Sequence, residues 1–286
     1  MVFCLTNALQ HFRFRGSKGD SSLFIYSSNG ENAYCLVYVD DLILTGSSTE
    51  LLHRLIIQLG RSVTLKDLGP LTYFLGVEVS WISDGLQLTQ SKYIKDLLHR
   101  ANMQDASSVS TPSTPQSDLT GTTSEAFEDP TLYRQIVGGL QYLALTRPDV
   151  TMTVNKADRK NTSAYIVFHG SNPISWVSRK QRTVARSSTD SEYRALAAAA
   201  SEVYWLQCLL RELNYTLPTT PRVWCDNVSA TYLAANPVFH SLVSYISTVD
   251  QLADALTKPL SKPRFLLMRD KLMVLFPIGF RGVLRI

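Results

Sequence analysis

The chain has 286 residues, 45% of them hydrophobic, which is enough for two modest cores. A net charge of +4 and a pI near 8.8 suit a nucleic-acid partner without requiring one. No apolar run reaches membrane-spanning length, the first fifteen residues lack a signal-peptide layout, and the four cysteines (Cys4, Cys35, Cys208, Cys225) form no C-x-x-C pair. A membrane span and a zinc site are therefore not expected, and reduced thiols in the cytoplasm or nucleus are the default.

The first element with chemical content is the apolar run from Cys35 to Leu44, interrupted by Tyr38-Val39-Asp40-Asp41. It reads as a tight hairpin with Asp40 and Asp41 at its tip. Two adjacent carboxylates there have two readings. One is a solvated turn, since Asp is a common turn residue. The other is a seat for Mg2+, which takes hard oxygen ligands and substrate phosphates together.

Ser47 and Glu50 stand at capping-box spacing and open a helix that Gly60 stops after Leu59. Thr72 to Val79 reads as a strand, and Ser83-Asp84-Gly85 turns it back into Leu86-Gln87-Leu88. Ser91 to Arg100 is a helix with Tyr93, Leu97 and Leu98 on one stripe. Gln104 to Glu128, rich in Ser, Thr, Pro and Asp, reads as a linker. Asp129-Pro130 starts a helix that carries Tyr133, Ile136, Val137, Leu140 and Leu143 inward and ends before Arg147-Pro148.

Tyr165 to Phe168 and Ile174 to Val177 are strands around a Gly170-Ser171-Asn172 turn. Thr189 to Leu213 is a long amphipathic helix, with Tyr193, Leu196, Ala200, Val203, Leu206, Leu210 and Leu213 facing the core. Arg222 to Cys225 is a short strand ending at Asp226, Asn227 to Ala235 a helix, and Val243 to Ile246 a strand. A last helix begins over Ala253 to Thr257. There are no internal repeats.

The motifs carry a resemblance. Tyr38-Val39-Asp40-Asp41 with Leu42-Ile43-Leu44-Thr45-Gly46 resembles the polymerase motif of Ty1/copia-type retrotransposon reverse transcriptases of plants. Lys66 to Leu71, Tyr73 to Val79, Gln90 to Tyr93 and Thr146 to Val150 match the same family in the same order. Trp176, Ser187 to Ala195, Cys225-Asp226-Asn227 and Asp250 to Asp254 resemble its RNase H domain. The resemblance covers nearly the whole chain to Leu260.

This resemblance implies a mixed α/β fold: a partial palm with thumb-like helices over 1–103, a linker over 104–128 and a connection helix over 129–155. A truncated RNase H-like mixed sheet with helices follows over 156–260, then a basic, apolar tail over 261–286. It implies RNA-directed DNA synthesis at Asp40 and Asp41, and RNA-strand hydrolysis at Glu192, Asp226 and Asp254. All five carboxylates would hold Mg2+, with Mn2+ as the alternative ion, in two-metal nucleotidyl transfer. The implied partners are an RNA template, a DNA primer and the RNA/DNA hybrid; oligomeric state is left open.

Each RNase H carboxylate has a plain reading beside the family one. Glu192 is at capping-box spacing from Thr189. Asp226 could cap the helix after it. Asp254 could be a first-turn acid favoured by the helix dipole.

The family pattern also breaks. Its first catalytic aspartate lies upstream of the matched residues. Its first RNase H strand, with Asp-Ala-Asp-Trp, has no counterpart, because Val154-Asn155 runs into Lys156-Ala157-Asp158-Arg159. Loss of that strand would expose backbone on both sides of a gap. One substitute is the β-prone stretch Val150 to Val154 with Asp158 beyond it. A second break follows Phe239-His240. Two functions stay open: a weakened enzyme of this class, and a non-catalytic remnant that binds nucleic acid.

Overall fold

The computed structural model describes residues 2–83, 85–112, 129–155, 162–181, 183–234, 243–272 and 283–285. It is a mixed α/β fold that divides into two compact units. The first comprises Met1–Gln87 with Tyr204–Pro218 and Pro277–Ile286; the second comprises Leu88–Val203 and Thr219–Phe276.

The first unit opens with helix α1 (Val2–His11), then strands β1 (Arg15–Gly16), β2 (Leu23–Ser28), β3 (Glu31–Tyr38) and β4 (Asp41–Gly46), and helix α2 (Thr49–Gly60). Strand β5 (Lys66–Asp67) follows, then β6 (Tyr73–Phe74), β7 (Val77–Ile82) and β8 (Gly85–Thr89). Alternation builds the central hairpin: Ala33 and Cys35 on β3, and Leu42 and Leu44 on β4, are fully buried. Leu51, Leu55 and Leu59 of α2 recur at helical spacing, and with Leu5 and Leu9 of α1 they cover that face. Each such leucine contributes about 1.5–3 kcal/mol of burial.

Gly46 ends β4 where only glycine fits, since a Cβ there would lie 2.9 Å from the Asn32 carbonyl oxygen. The α2 cap is Ser48, whose hydroxyl accepts from Leu51 N, rather than Ser47. Ser47 instead donates its N–H to Asn32 O and accepts from Asn32 N, tying the helix entry to β3. Gly60 is the last helical residue, not the stop beyond it.

The expected strand over Thr72 to Val79 is broken. Leu75 (φ 48) and Gly76 (φ 78) form a two-residue turn, and Tyr73 pairs with Glu78 and Phe74 with Val77. Two consecutive positive-φ residues are the hairpin-type turn that matches strand twist. The sheet order in this unit is β1-β2-β3-β4-β13-β5, where β13 (Val283–Arg285) is defined below by its register.

The second unit takes helices α3 (Ser91–Arg100), α4 (Pro130–Leu143) and α5 (Thr151–Asn155). Asp129 caps α4 by accepting from Thr131 N and Leu132 N, with Pro130 at its first position. Tyr133, expected inward, is exposed, and the buried α4 residues are Gly139 and Leu143. Gly139 lets α3 approach: Tyr93 Oη donates to Gly139 O at 3.1 Å. Val150 to Val154, expected as a β-prone substitute strand, is helical. Pro148 opens a 3-10 turn (Pro148–Val150) that leads straight into α5. Asp149, buried in that turn, takes a two-bond ion pair from Arg147 at 2.8 Å. Asp158, the rest of that expectation, lies outside the described residues, as do 113–128 of the linker, the join after His240 and 273–282 of the tail.

Strands β9 (Thr162–His169) and β10 (Asn172–Lys180) form an antiparallel hairpin, followed by α6 (Ser188–Glu212). Then come β11 (Val223–Cys225), α7 (Val228–Ala234), β12 (Val243–Tyr245), a 3-10 helix (Leu252–Leu256) and α8 (Lys262–Leu272). The expected mixed sheet is divided among the described residues: β9 pairs only with β10, while β11 pairs in parallel with β12. Tyr193 on α6 is exposed, and Leu196 and Ala199 are its buried positions. The tail strand β13 belongs to the first unit, antiparallel to β4 with Arg285 opposite Asp41 in register.

Candidate functional site

Two carboxylate groups matter, one in each unit. In the first unit, Tyr38 pairs with Asp41 across the β3–β4 hairpin, so the loop is Val39-Asp40. Asp40 is exposed at the tip, whereas Asp41 is already the first residue of β4 and half-buried. Val39 takes φ 52 and is exposed. A β-branched residue in the left-handed region is strained, and such strain gathers at functional turns. Among the described residues no third metal-ligating side chain joins this pair.

In the second unit, α6 and the end of β11 bring Glu192 and Asp226 together. Ser187 caps α6 by accepting from Asp190 N, and Asp190 returns a carboxylate oxygen to Arg186 N. The capping pair is thus Ser187 and Asp190, which leaves Glu192 free of a capping role. At the other element, Asn227 caps α7 by accepting from Ala230 N, so Asp226 has no capping role either. Carboxylate oxygens of Glu192 and Asp226 and the sulfur of Cys225 all lie within 4.8 Å of one another. Neither carboxylate has a hydrogen bond or ion pair to another described residue.

The electrostatics reflect this crowding. Burial pushes the Glu192 carboxyl up; the Asp226 and Asp254 charges push the same way, and the Lys258 charge opposes them. Burial also pushes the Cys225 thiol up, a backbone hydrogen bond from Asn227 opposes it, and the Glu192 and Asp226 charges push it further up. Two unpartnered carboxylates at this separation repel, and a cation between them removes the repulsion. The donor set at Glu192 and Asp226 therefore fits a divalent ion.

Asp254 is differently placed. It is buried in the 3-10 helix that Gln251 caps, and Ser178 Oγ anchors that helix by donating to Leu256 O. Its carboxylate accepts from Lys258 Nζ at 2.7 Å and Arg264 Nη2 at 2.9 Å. These two cations neutralise it, so its donor set does not call for a metal. Three residues of this centre escaped the sequence reading. The Asp254–Lys258 spacing of four was a usable signal for one of them. Cys225, next to Asp226, and Arg264, ten residues from its partner, gave none.

A family model described as reverse transcriptase (RNA-dependent DNA polymerase) matches residues 2–115. The Retrovirus-related Pol polyprotein from transposon RE1 of Arabidopsis thaliana is 38% identical over 91% of this chain. The corresponding polyprotein from transposon RE2 is 38% identical over 96%. The chain belongs to the Pol family of Ty1/copia-type retrotransposons. It is also 36% identical to an uncharacterized mitochondrial protein of Arabidopsis thaliana, over 60% of this chain and 93% of that protein. The chain spans about a quarter of the two Pol polyproteins, 23% and 24% of their lengths. The RE1 alignment runs over 335 positions against 286 residues, so stretches of that relative have no counterpart here. No solved structure matches. No described helix is long and apolar enough to cross a membrane.

Proposed function

We propose that residues 1–103 are the rear of a retrotransposon reverse transcriptase palm with part of its thumb. In this reading 129–155 is a connection, and 156–260 is an RNase H-like domain that acts on the RNA strand of an RNA/DNA hybrid. One observation carries the reading: Glu192 and Asp226 converge from different elements, without partners, at a separation suited to a shared cation. The Pol relatives support it, because their similarity extends well past residue 115.

A bound Mg2+ or Mn2+ would supply Lewis-acid polarisation of the scissile phosphate and of the attacking water. Glu192 and Asp226 would hold that ion and so orient the phosphate. Asp254, neutralised by Lys258 and Arg264, adds no ligand, so cleavage is slow. At the other unit Asp40 and Asp41 would face the primer terminus and the incoming triphosphate.

Incubation of the purified chain with a labelled RNA/DNA primer-template, dNTPs and Mg2+ tests this on one gel. The expected result is RNA cleavage that vanishes with EDTA, with Glu192→Gln and with Asp226→Asn. Extension lost in Asp40→Asn would place synthesis at the hairpin. Intact substrate with folded protein would overturn the enzymatic reading. A second reading, a non-catalytic nucleic-acid-binding remnant, is favoured by the ion-paired state of Asp254. It predicts binding that falls steeply with salt and ignores all three Asp and Glu substitutions.

A further inference from the structure

The third ligand-bearing side chain at the Glu192–Asp226 centre is a thiol. Cys225 is 4% exposed and ends β11, with its sulfur within 4.8 Å of both carboxylates. Two independent features select a cation there. Among the described residues the two carboxylates have no hydrogen-bond or ion-pair partner, and Asp254, whose charge also reaches Glu192, is already held by Lys258 and Arg264. The centre thus offers two oxygens and one sulfur to a single ion.

We propose that Cys225 completes a one-ion centre with Glu192 and Asp226 that prefers a thiophilic divalent cation, Zn2+ or Cd2+, to Mg2+. Hard Mg2+ gains nothing from sulfur and demands octahedral oxygen ligation, whereas Zn2+ and Cd2+ bind thiolate strongly. The size fits. A tetrahedral ion with sulfur at about 2.3 Å and oxygens at about 2.0 Å sets sulfur and oxygen about 3.5 Å apart. Rotation of the Glu192 side chain on α6 and of Asp226, the residue after β11, would close the remaining distance. As the metal–sulfur bond forms, the Sγ–H bond breaks and its proton passes to solvent. Nothing is oxidised or reduced. A fourth position stays open to water.

This inference rests on the assignment of Glu192 and Asp226 as cation ligands in the proposed function, but not on cleavage itself. It adds a regulatory consequence: Zn2+ seated on sulfur displaces Mg2+ and inhibits hydrolysis of the hybrid.

The test is a Cd2+ titration of the reduced full chain, followed by thiolate-to-cadmium charge-transfer absorption in the ultraviolet. The expected result is one tight equivalent giving the band in the presence of millimolar Mg2+. Cys225→Ser loses the band and at least about tenfold in affinity, while Cys208→Ser keeps both. Glu192→Gln keeps the band and binds more weakly. Circular dichroism of each variant reports its folding, and Cys225→Ala serves as the second variant at the core-facing position. A band that survives Cys225→Ser, or tight binding with no thiolate band, overturns the proposal. The hybrid-cleavage gel separates the two readings. Cleavage with no cadmium band removes this inference alone, and a cadmium band with no cleavage removes only the enzymatic reading.

Discussion

Asp254→Asn distinguishes a structural aspartate from a metal ligand. In the wild-type chain its buried carboxylate receives Lys258 Nζ at 2.7 Å and Arg264 Nη2 at 2.9 Å, and Arg264 Nη2 also donates to Thr248 O at 2.6 Å. The Lys258 side chain is 51% exposed, so its share is screened and amounts to about 0.5 kcal/mol. The Arg264 side chain is 33% exposed, and its bond to a buried carboxylate is charge-assisted, about 1.5–2.5 kcal/mol. An amide keeps one acceptor oxygen but no charge, so the loss is about 2–3 kcal/mol. Relief of repulsion on Glu192 offsets a small part. Urea unfolding, followed by far-UV circular dichroism without any metal, should show the midpoint of the second unit lowered by about 1 M. Replacing Arg264 by Met in the same chain should recover part of that loss, because the unpaired buried cation goes with it. An unchanged midpoint, together with loss of cation binding, would refute the reasoning and make Asp254 a ligand.

Three further outcomes follow from particular residues. Because the folded chain holds the Glu192 proton more tightly than the unfolded one, metal-free stability should fall as pH rises from its ordinary value of 4.5 through the raised folded value; Glu192→Gln should remove that component in midpoints measured across pH. Gly46→Ala should cost about 1–3 kcal/mol in urea unfolding of the first unit, since its Cβ would meet Asn32 O at 2.9 Å and Leu52 Cδ2 at 3.1 Å. Val39→Gly should stabilise the same unit by about 1 kcal/mol, because φ 52 costs a β-branched residue more than glycine; equal or lower stability would mean that the hairpin tip carries no strain.

The elements whose evidence is local were legible in the sequence. Alternation around Tyr38-Val39-Asp40-Asp41 located the β3–β4 hairpin, and Asp129-Pro130 located the start of α4, because strand period and cap chemistry need only neighbouring residues. Where neighbouring signals competed, the reading slipped. Ser47 and Ser48 both suit a cap, and pairing with Asn32 decided which one served. Val150 to Val154 has β-branched residues, yet Pro148 and the Arg147–Asp149 ion pair commit the chain to a helical start first. Long α6 hid a different ambiguity, since its residues fall in both units and Leu196 is the one buried member of its expected stripe.

The candidate site was legible as residue types but not as an arrangement. Glu192, Asp226 and Asp254 each had a local role available, and only tertiary placement separates them. Ser187 and Asn227 take the caps and leave Glu192 and Asp226 unpartnered, while Arg264 and Lys258 claim Asp254. Cys225 was discounted for want of a paired cysteine. Its neighbours are carboxylates brought in from another element, which cysteine spacing cannot register.

The most direct measurement is an anomalous difference map from crystals of this chain soaked in Mn2+ and, separately, in Cd2+. The account predicts one peak between the carboxylates of Glu192 and Asp226, with Cys225 Sγ bonded in the Cd2+ crystal, and no peak on Asp254, whose bonds to Lys258 and Arg264 persist. A peak held by Asp254, or an ion-free gap between Glu192 and Asp226 in both crystals, would contradict it.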